Sequence, residues 1–371
     1  MERKIYIIDF IGVHCGMHYY LEAFKKCLAE IPNVEIEIVS NYSETHGSEP
    51  VLLNQYKGNK IKKISCFFIN LWRIHRLVKK NTDAIFIYLS YGTILDIQAL
   101  KIVSKAKNHI IDIHEAIAQN LDSNKSISCR LSSIYKSKIH SVISHSERTD
   151  TYLASFGYEG ERMYVPHFKY QYSKEYDEDS LSSEVTNVIF KNMVNILFFG
   201  NINESKGIDI LMSAVNLIDD KIAQRVNFII AGKDFDGVWR TIKIKKNRNI
   251  HYIIRHITDN ELNYLYTNVD YIAMPYRKTS QSGIIETAFY FKKPIIATDI
   301  PYFHFVLDKF KSFGLLVGNP TPEDYSKGIE KAVEMYDRHS FYVEDDYYMY
   351  EHRQEVDQFR LDFIKWLNKL M

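Results

Sequence analysis

Tyr271-Ile-Ala-Met-Pro-Tyr276, Arg277-Lys-Thr-Ser-Gln-Ser-Gly283, Ile284-Ile-Glu-Thr-Ala-Phe-Tyr-Phe291 and Lys293-Pro-Ile-Ile-Ala-Thr-Asp299 follow one another as strand, polar loop, helix and strand. The expected helix, from about Gly283 to Phe291, is apolar nearly all round, as a helix packed on a parallel sheet can be. Glu286 in its first turns therefore needs an explanation, because a buried carboxylate is costly unless it is paired. Ser280, Ser282 and Gly283 place small side chains and backbone N–H groups at the helix N-terminus, where the macrodipole favours an anion. A phosphate above that loop and a hydroxyl on Glu286 would account for both features.

The same alternation recurs outward from this stretch. Towards the N-terminus lie apolar runs at Val194 to Phe199, Val226 to Ala231 and His251 to Ile254, with helices expected at Ile208 to Leu217 and near Asn260 to Thr267. On the other side Leu315 to Val317 and a helix near Pro322 to Tyr336 continue the series, and an amphipathic helix at about Val356 to Leu370 ends it. A separate βαβ opening stands at Ile5 to Phe10, a helix through Tyr20 to Leu28, and Val34 to Val39. Further runs at Ala84 to Leu89, His109 to Ile113 and Ser141 to Ile143 imply a first parallel sheet with helices on both faces. Between the two series, Tyr170 to Glu184 is rich in Tyr, Ser, Lys, Glu and Asp and reads as a linker. The expected organisation is a first domain over 1–169, a linker over 170–190, a second domain over 191–351, and a helix over 352–371 packing back on the first domain.

Composition narrows the function classes. With 371 residues, 46% hydrophobic and 25% charged, the chain can bury two cores. A formal net charge of +1 argues against a general nucleic-acid binder. Cys15, Cys27, Cys66 and Cys129 form no CxxC pair, which suggests reduced thiols in a cytosolic protein and no structural zinc. Neither a signal segment nor a membrane span is expected from the apolar runs.

Two turns carry phosphate-like chemistry. In Phe198-Phe199-Gly200-Asn-Ile-Asn203-Glu-Ser-Lys206-Gly207, a glycine ends a strand and Lys-Gly starts a helix, so Lys206 could reach a diphosphate. The alternative for that segment alone is a plain βα turn with a solvated lysine. The Ser-Gly loop before Glu286 tips the balance, since both turns fall at the carboxyl edge of one sheet. In the first series, Gly12-Val-His-Cys-Gly16 could form the floor of a cleft, although it is no GxGxxG. His114, His145 and His167 stand at strand ends, where a histidine could touch a sugar hydroxyl or simply be satisfied in the core. Between Gln55 and Asn81 no residue is acidic, while Lys57, Lys60, Lys62, Lys63, Arg73, Arg76, Lys79 and Lys80 frame Phe67, Phe68, Leu71 and Trp72. Such a segment suits an anionic membrane surface; the alternative is an ordinary helix with a core face and a solvated basic face.

Taken together, Gly200 to Gly207, Ile229-Ile-Ala-Gly-Lys233, Asp259-Asn-Glu-Leu, Val269 to Tyr276 and Gln281-Ser-Gly-Ile-Ile-Glu286 resemble the retaining GT-B glycosyltransferases of family GT4. Ser144-His-Ser-Glu-Arg and Val165-Pro-His-Phe resemble the segment closing the acceptor domain in that family. The resemblance implies an α/β GT-B fold, two Rossmann-like doubly wound domains facing a cleft. It implies a UDP- or GDP-sugar donor, a saccharide or lipid-linked saccharide acceptor, no cofactor and no essential metal, in a cytoplasmic enzyme of bacterial surface polysaccharide synthesis. Glu286 falls on the ribose-binding glutamate of the family's E-x7-E motif, and Lys278 on its first glutamate. The implied donor-binding residues are Gly200, Asn203, Lys206, Arg255, Gln281, Ser282, Gly283, Glu286 and Gly12, with Lys206, Glu286 and His114 serving catalysis. The usual arginine of the phosphate-binding pair is missing, with Asn201 and Asn203 in its region. A sugar-nucleotide epimerase or a non-catalytic nucleotide-sugar-binding subunit are the alternatives.

Overall fold

A computed structural model describes residues 3–10, 17–41, 53–54, 58–114, 125–165, 168, 175–234, 236–279, 282–337 and 345–370. Contacts divide the chain into two units, Met1–Phe168 with Glu351–Met371, and Lys169–Tyr350. The first holds the strands β1 (Arg3–Ile8), β2 (Val34–Val39), β3 (Ile85–Ser90), β4 (Asn108–Ile113), β5 (Ser141–Ser144) and β6 (Glu161–Tyr164). The second holds β7 (Val194–Phe199), β8 (Val226–Ala231), β9 (Asn249–Ile253), β10 (Tyr271–Met274), β11 (Ile295–Thr298) and β12 (Gly314–Val317).

Every strand pairing among these elements is parallel. The first sheet runs β2-β1-β3-β4-β5-β6 and the second β12-β11-β10-β7-β8-β9. Parallel strands need crossovers that cover both sheet faces, so central strands lose all contact with water; β3 and β8 are buried at every position. That is why Ile-Phe-Ile-Tyr-Leu and Val-Asn-Phe-Ile-Ile-Ala are nearly continuous apolar runs. Chain order reverses beside β1 in one sheet and beside β7 in the other, giving each unit the doubly wound, Rossmann-like topology expected from the sequence.

Local chemistry fixes the turns at the carboxyl edge of the first sheet. Asp96, in the first turn of the helix Ile94–Val103, is fully buried and accepts from Thr93 N–H at 2.6 Å, Thr93 O–H at 2.9 Å and Tyr88 O–H at 2.8 Å. Burial pushes its carboxyl above the ordinary range, and the Thr93 and Tyr88 donors oppose that rise. The turn between β3 and this helix is thereby tied to the strand it leaves.

The final helix, Asp345–Lys369, begins about ten residues before the point at which apolar periodicity appears. Phe359, Phe363, Trp366 and Leu367 are buried, Trp366 Nε1–H donates to Ser141 Oγ at 2.8 Å, and Arg3 Nη1 donates to the Leu367 carbonyl at 2.7 Å. Residues 175–190 carry structure of their own, although their composition suggests a linker. A short helix, Ser183–Thr186, buries Val185, while Asn227 Nδ2 donates to the Val188 carbonyl and Asn260 Nδ2 to the Asp177 carbonyl. Two buried valines and bonds made by side chains of the second unit outweigh the polar composition. Cys27 and Cys66 are free and buried and Cys129 is free and exposed; burial pushes the Cys27 thiol up to about 12.

Trp366→Ala should lower the unfolding free energy of the first unit by about 3–5 kcal/mol, the range for deleting a large buried side chain. Urea unfolding followed through the first unit checks it, and a change below about 1 kcal/mol would place the helix outside that unit's core.

Candidate functional site

In the second sheet the reversal of strand order puts the turn after β7 beside the turn after β10. Gly207 joins the short 3-10 segment Glu204–Lys206 to the helix Ile208–Leu217 with φ +66°, in the left-handed region. A Cβ there would lie 1.9 Å from the Pro275 carbonyl oxygen, so only glycine lets the two turns come this close. Arg277 closes the junction from the other side. Its N–H donates to the Ser205 carbonyl, its Nη1 to the Glu204 carbonyl at 2.7 Å, and its guanidinium grips Asp209 through two bonds of 2.6 and 2.5 Å. This bidentate contact holds the Asp209 carboxyl below its ordinary range against the opposing effect of burial, the largest single influence.

Gly200 follows β7 with φ +101°, and a Cβ on it would lie 3.2 Å from both Lys206 Nζ and Ile284 Cδ1. The absence of a side chain leaves room for the ammonium close to the Gly200 backbone, beside the first turn of the helix Gly283–Tyr290. Lys206 Nζ also lies 5.4 Å from the centre of the Tyr276 ring, a cation–π contact that orients the charge without neutralising it. Tyr276 is buried, and its hydroxyl has no hydrogen-bond partner among the described residues. Ser282 is the N-cap of that helix and makes no side-chain cap hydrogen bond; Gly283 is the first helical residue, and Glu286, 6% exposed, lies within the first turns. Lys206, Gly200, Gly283 and the Ser282 backbone are thus gathered at one strand edge, the place where open α/β sheets bind ligands.

Other expected residues take different parts. Asn203 caps the 3-10 turn: its Oδ1 accepts from Lys206 N–H at 3.1 Å and Ser205 O–H at 2.8 Å, so it positions Lys206. Arg255 follows β9, two strands from β7, and its fork is filled by Glu261 (2.8 and 2.7 Å), Glu184 (2.9 Å) and the His256 carbonyl. Those bonds, led by Glu261, raise its pKa further and tie the segment around Glu184 to the helix Asp259–Asn268. Arg255 thus serves as a structural tie at the sheet edge, with its guanidinium engaged by two glutamates. Lys278 is exposed. Gln281, Gly12 and His167 lie outside the described residues.

The carboxyl edge of the first sheet holds a buried network. Asp112, at the end of β4, accepts from Tyr20 O–H at 2.7 Å, faces His145 Nε2 at 2.6 Å and lies 3.5 Å from His114 Nε2. His145 Nδ1 lies 2.9 Å from the Val165 carbonyl, which can only accept, so Nδ1 carries a proton. His114 is 2% exposed, its ring stacked on His145 and Tyr91 and edge-on to Tyr20. Burial lowers its pKa against the pull of Asp112, whereas burial would raise Asp112 but His114 and His145 together hold it well below the carboxylate range. The ligand atoms of Asp112, His114 and His145 lie within 4.8 Å of one another, close enough to share a cation. Sequence spacing pointed to each histidine alone; that one aspartate joins them, with Tyr20 from another helix, has no local signature.

Asp112→Asn should destabilise the first unit by about 1–3 kcal/mol, because the buried donors gathered round it lose their charged acceptor. Neutral, buried His114 binds its proton less readily folded than unfolded. Stability should therefore fall as pH drops from about 7 to about 5, through the ordinary histidine range. Thermal melts across that window check both, and a flat profile that His114→Gln leaves unchanged would contradict the burial argument.

Similarity to known proteins agrees with this geometry. The sucrose-phosphate synthase of Thermosynechococcus elongatus superposes with a TM-score of 0.73 at 13% identity, over 100% of this chain and 99% of that one. Anabaena HepE, in complex with UDP and glucose, superposes with a TM-score of 0.69 at 13% identity, over 99% of this chain and 100% of that one. An uncharacterized 41.2 kDa protein in the cps region of Klebsiella pneumoniae is 23% identical over 299 residues, covering 77% of this chain and 76% of the relative. Residues 194–335, the strands and turns that gather Gly200, Lys206 and Glu286, match the family of glycosyl transferases group 1.

Proposed function

We propose that this protein is a retaining glycosyltransferase of the GT4 type, moving a sugar from a UDP- or GDP-sugar to a saccharide or lipid-linked saccharide during bacterial surface polysaccharide synthesis. The observation that carries the reading is the Lys206 ammonium, held at the β7 strand end over a side-chain-free glycine and beside the N-terminus of the Gly283–Tyr290 helix. A fixed cation beside a helix N-terminus suits a diphosphate. The match over 194–335, the UDP and glucose held by HepE, and the cps-region relative support the same reading.

In the proposed reaction the bond from the anomeric carbon to the diphosphate breaks, and its electron pair leaves with the diphosphate. The acceptor hydroxyl forms the new bond to that carbon, and its proton passes to the departing group or to water. Lys206 and the backbone N–H groups from Ser282 onward meet the growing negative charge without reorganising. Glu286 takes the ribose hydroxyls. His114, at a strand end near the reversal of the first sheet, is assigned to the transferred sugar. Charge stabilisation by Lys206 and the helix N-terminus means that no essential metal is invoked. The free thiols at Cys27, Cys66 and Cys129 suit a cytoplasmic setting.

A panel of UDP- and GDP-sugars tests the reading, first by thermal shift and then by nucleotide release with and without saccharide acceptors. At least one donor should raise the melting temperature by mass action and yield a product that keeps the donor's anomeric configuration. If no nucleotide sugar stabilises the protein or is turned over, the reading fails. Lys206→Ala should lower the single-turnover rate by roughly 10²–10³, the scale for removing one preorganised electrostatic group, with a smaller loss of donor affinity. Glu286→Gln should weaken donor binding by about 1–3 kcal/mol in calorimetry, and unchanged affinity would remove the ribose assignment.

A further inference from the structure

We propose that the outward face of the helix Lys60–Lys80 is a docking surface for an anionic phospholipid bilayer. Its inward face is settled: Cys66, Asn70, Leu71, Ile74 and Val78 are buried on the first unit. Its outward face is not what a solvated helix requires. Ile61, Ile64, Phe68, Ile69 and Trp72 are 74%, 49%, 62%, 43% and 57% exposed, and these are five of the thirteen large hydrophobic side chains exposed among the described residues. At about 100° per residue, Ile61, Ile64, Phe68 and Trp72 fall in one narrow stripe along the helix, with Ile69 on its flank. Scattered exposed apolar side chains need no explanation, but a continuous stripe does.

Charge identifies the occupant. The helix carries Lys60, Lys62, Lys63, Arg73, Arg76, Lys79 and Lys80 and no acidic residue, within a chain whose net charge is only +1. Arg76 stands 5.4 Å from the Trp72 ring, so an aromatic and a cation share the end of the stripe where Lys79 and Lys80 follow. Two copies packed through this face would set like charges against like, whereas an anionic headgroup layer complements the cations that flank the stripe, Lys62, Arg76, Lys79 and Lys80, while its acyl region accepts the stripe. No helix of the described residues is long and apolar enough to cross a membrane, so the helix would lie in the interface plane. This surface belongs to the first unit alone and does not depend on the chemistry assigned to Lys206.

The test uses the full chain with phosphatidylglycerol-containing vesicles and with pure phosphatidylcholine vesicles at low salt. Wild-type protein should sediment with the first and not the second, and added salt should release it. Trp72 emission should shift to the blue and be quenched by brominated lipid, and Trp72→Phe should remove that response. Ile64→Ser with Phe68→Ser should abolish sedimentation while the melting temperature stays unchanged, since both side chains are exposed. Lys79→Gln with Lys80→Gln should lower the partition coefficient by roughly 10–30-fold, following the attraction expected per cation near an anionic surface. The proposal is overturned if the wild type ignores anionic vesicles at low salt, or if binding survives the serine changes. It is equally overturned if the face instead mediates a concentration-dependent dimer that Phe68→Ser disperses.

Discussion

The close approach of Gly207 to the Pro275 carbonyl governs the candidate site. Strands β7 and β10 are neighbours only because the chain reverses direction across the sheet, and their turns can pack only if one of them has no side chain at the contact. Once the turns are pressed together, Arg277 locks them through Asp209 and two backbone carbonyls, and Asn203 holds the backbone of Lys206. The position of one ammonium group therefore rests on a left-handed glycine, a bidentate ion pair and a cap. All of these contacts are made by the protein's own groups, the kind of fixed support that electrostatic stabilisation of the proposed leaving group needs.

The two sheets treat charge at their carboxyl edges in opposite ways. In the first, the Asp112 carboxylate is enclosed by two imidazoles and a tyrosine hydroxyl, so its charge is compensated inside the protein. Such a network specifies one arrangement of β4, β5 and the Tyr20 helix and is intolerant of losing a member. In the second, Lys206 rests on the ring of Tyr276, which orients a cation without supplying a counter-charge. That contrast is in keeping with the proposed placement of a diphosphate at the second edge.

Much of this was legible in the residues. Buried parallel strands announce themselves as apolar runs, so β7 and β8 fall where composition places them, and the edge strand β2 shows itself by alternation. The exceptions share a cause: β6 is a short edge strand, Glu-Arg-Met-Tyr, with a single buried side chain, and the start of the last helix lacks an apolar period. Residues 175–190 are polar in sequence, and what orders them is supplied by Asn227 and Asn260, far along the chain. Within the site, Lys206, Gly200 and Glu286 stood out because each breaks a local rule, a glycine at a strand end or a charge in an apolar helix. The two glutamates that Arg255 meets had no signature, because an arginine after a strand looks the same in sequence whatever it pairs with. The Arg277–Asp209 clamp spans 68 residues and has no spacing to betray it.

Amide hydrogen exchange on the intact protein, with and without UDP and GDP, tests the central claim that the joined turns form a diphosphate site. The account expects slowed exchange at residues 204–207 and 283–286 on adding the nucleotide that binds, with Arg255 to Glu261 unchanged. Tight nucleotide binding that leaves those two segments untouched, or protects the Arg255 segment instead, would contradict it.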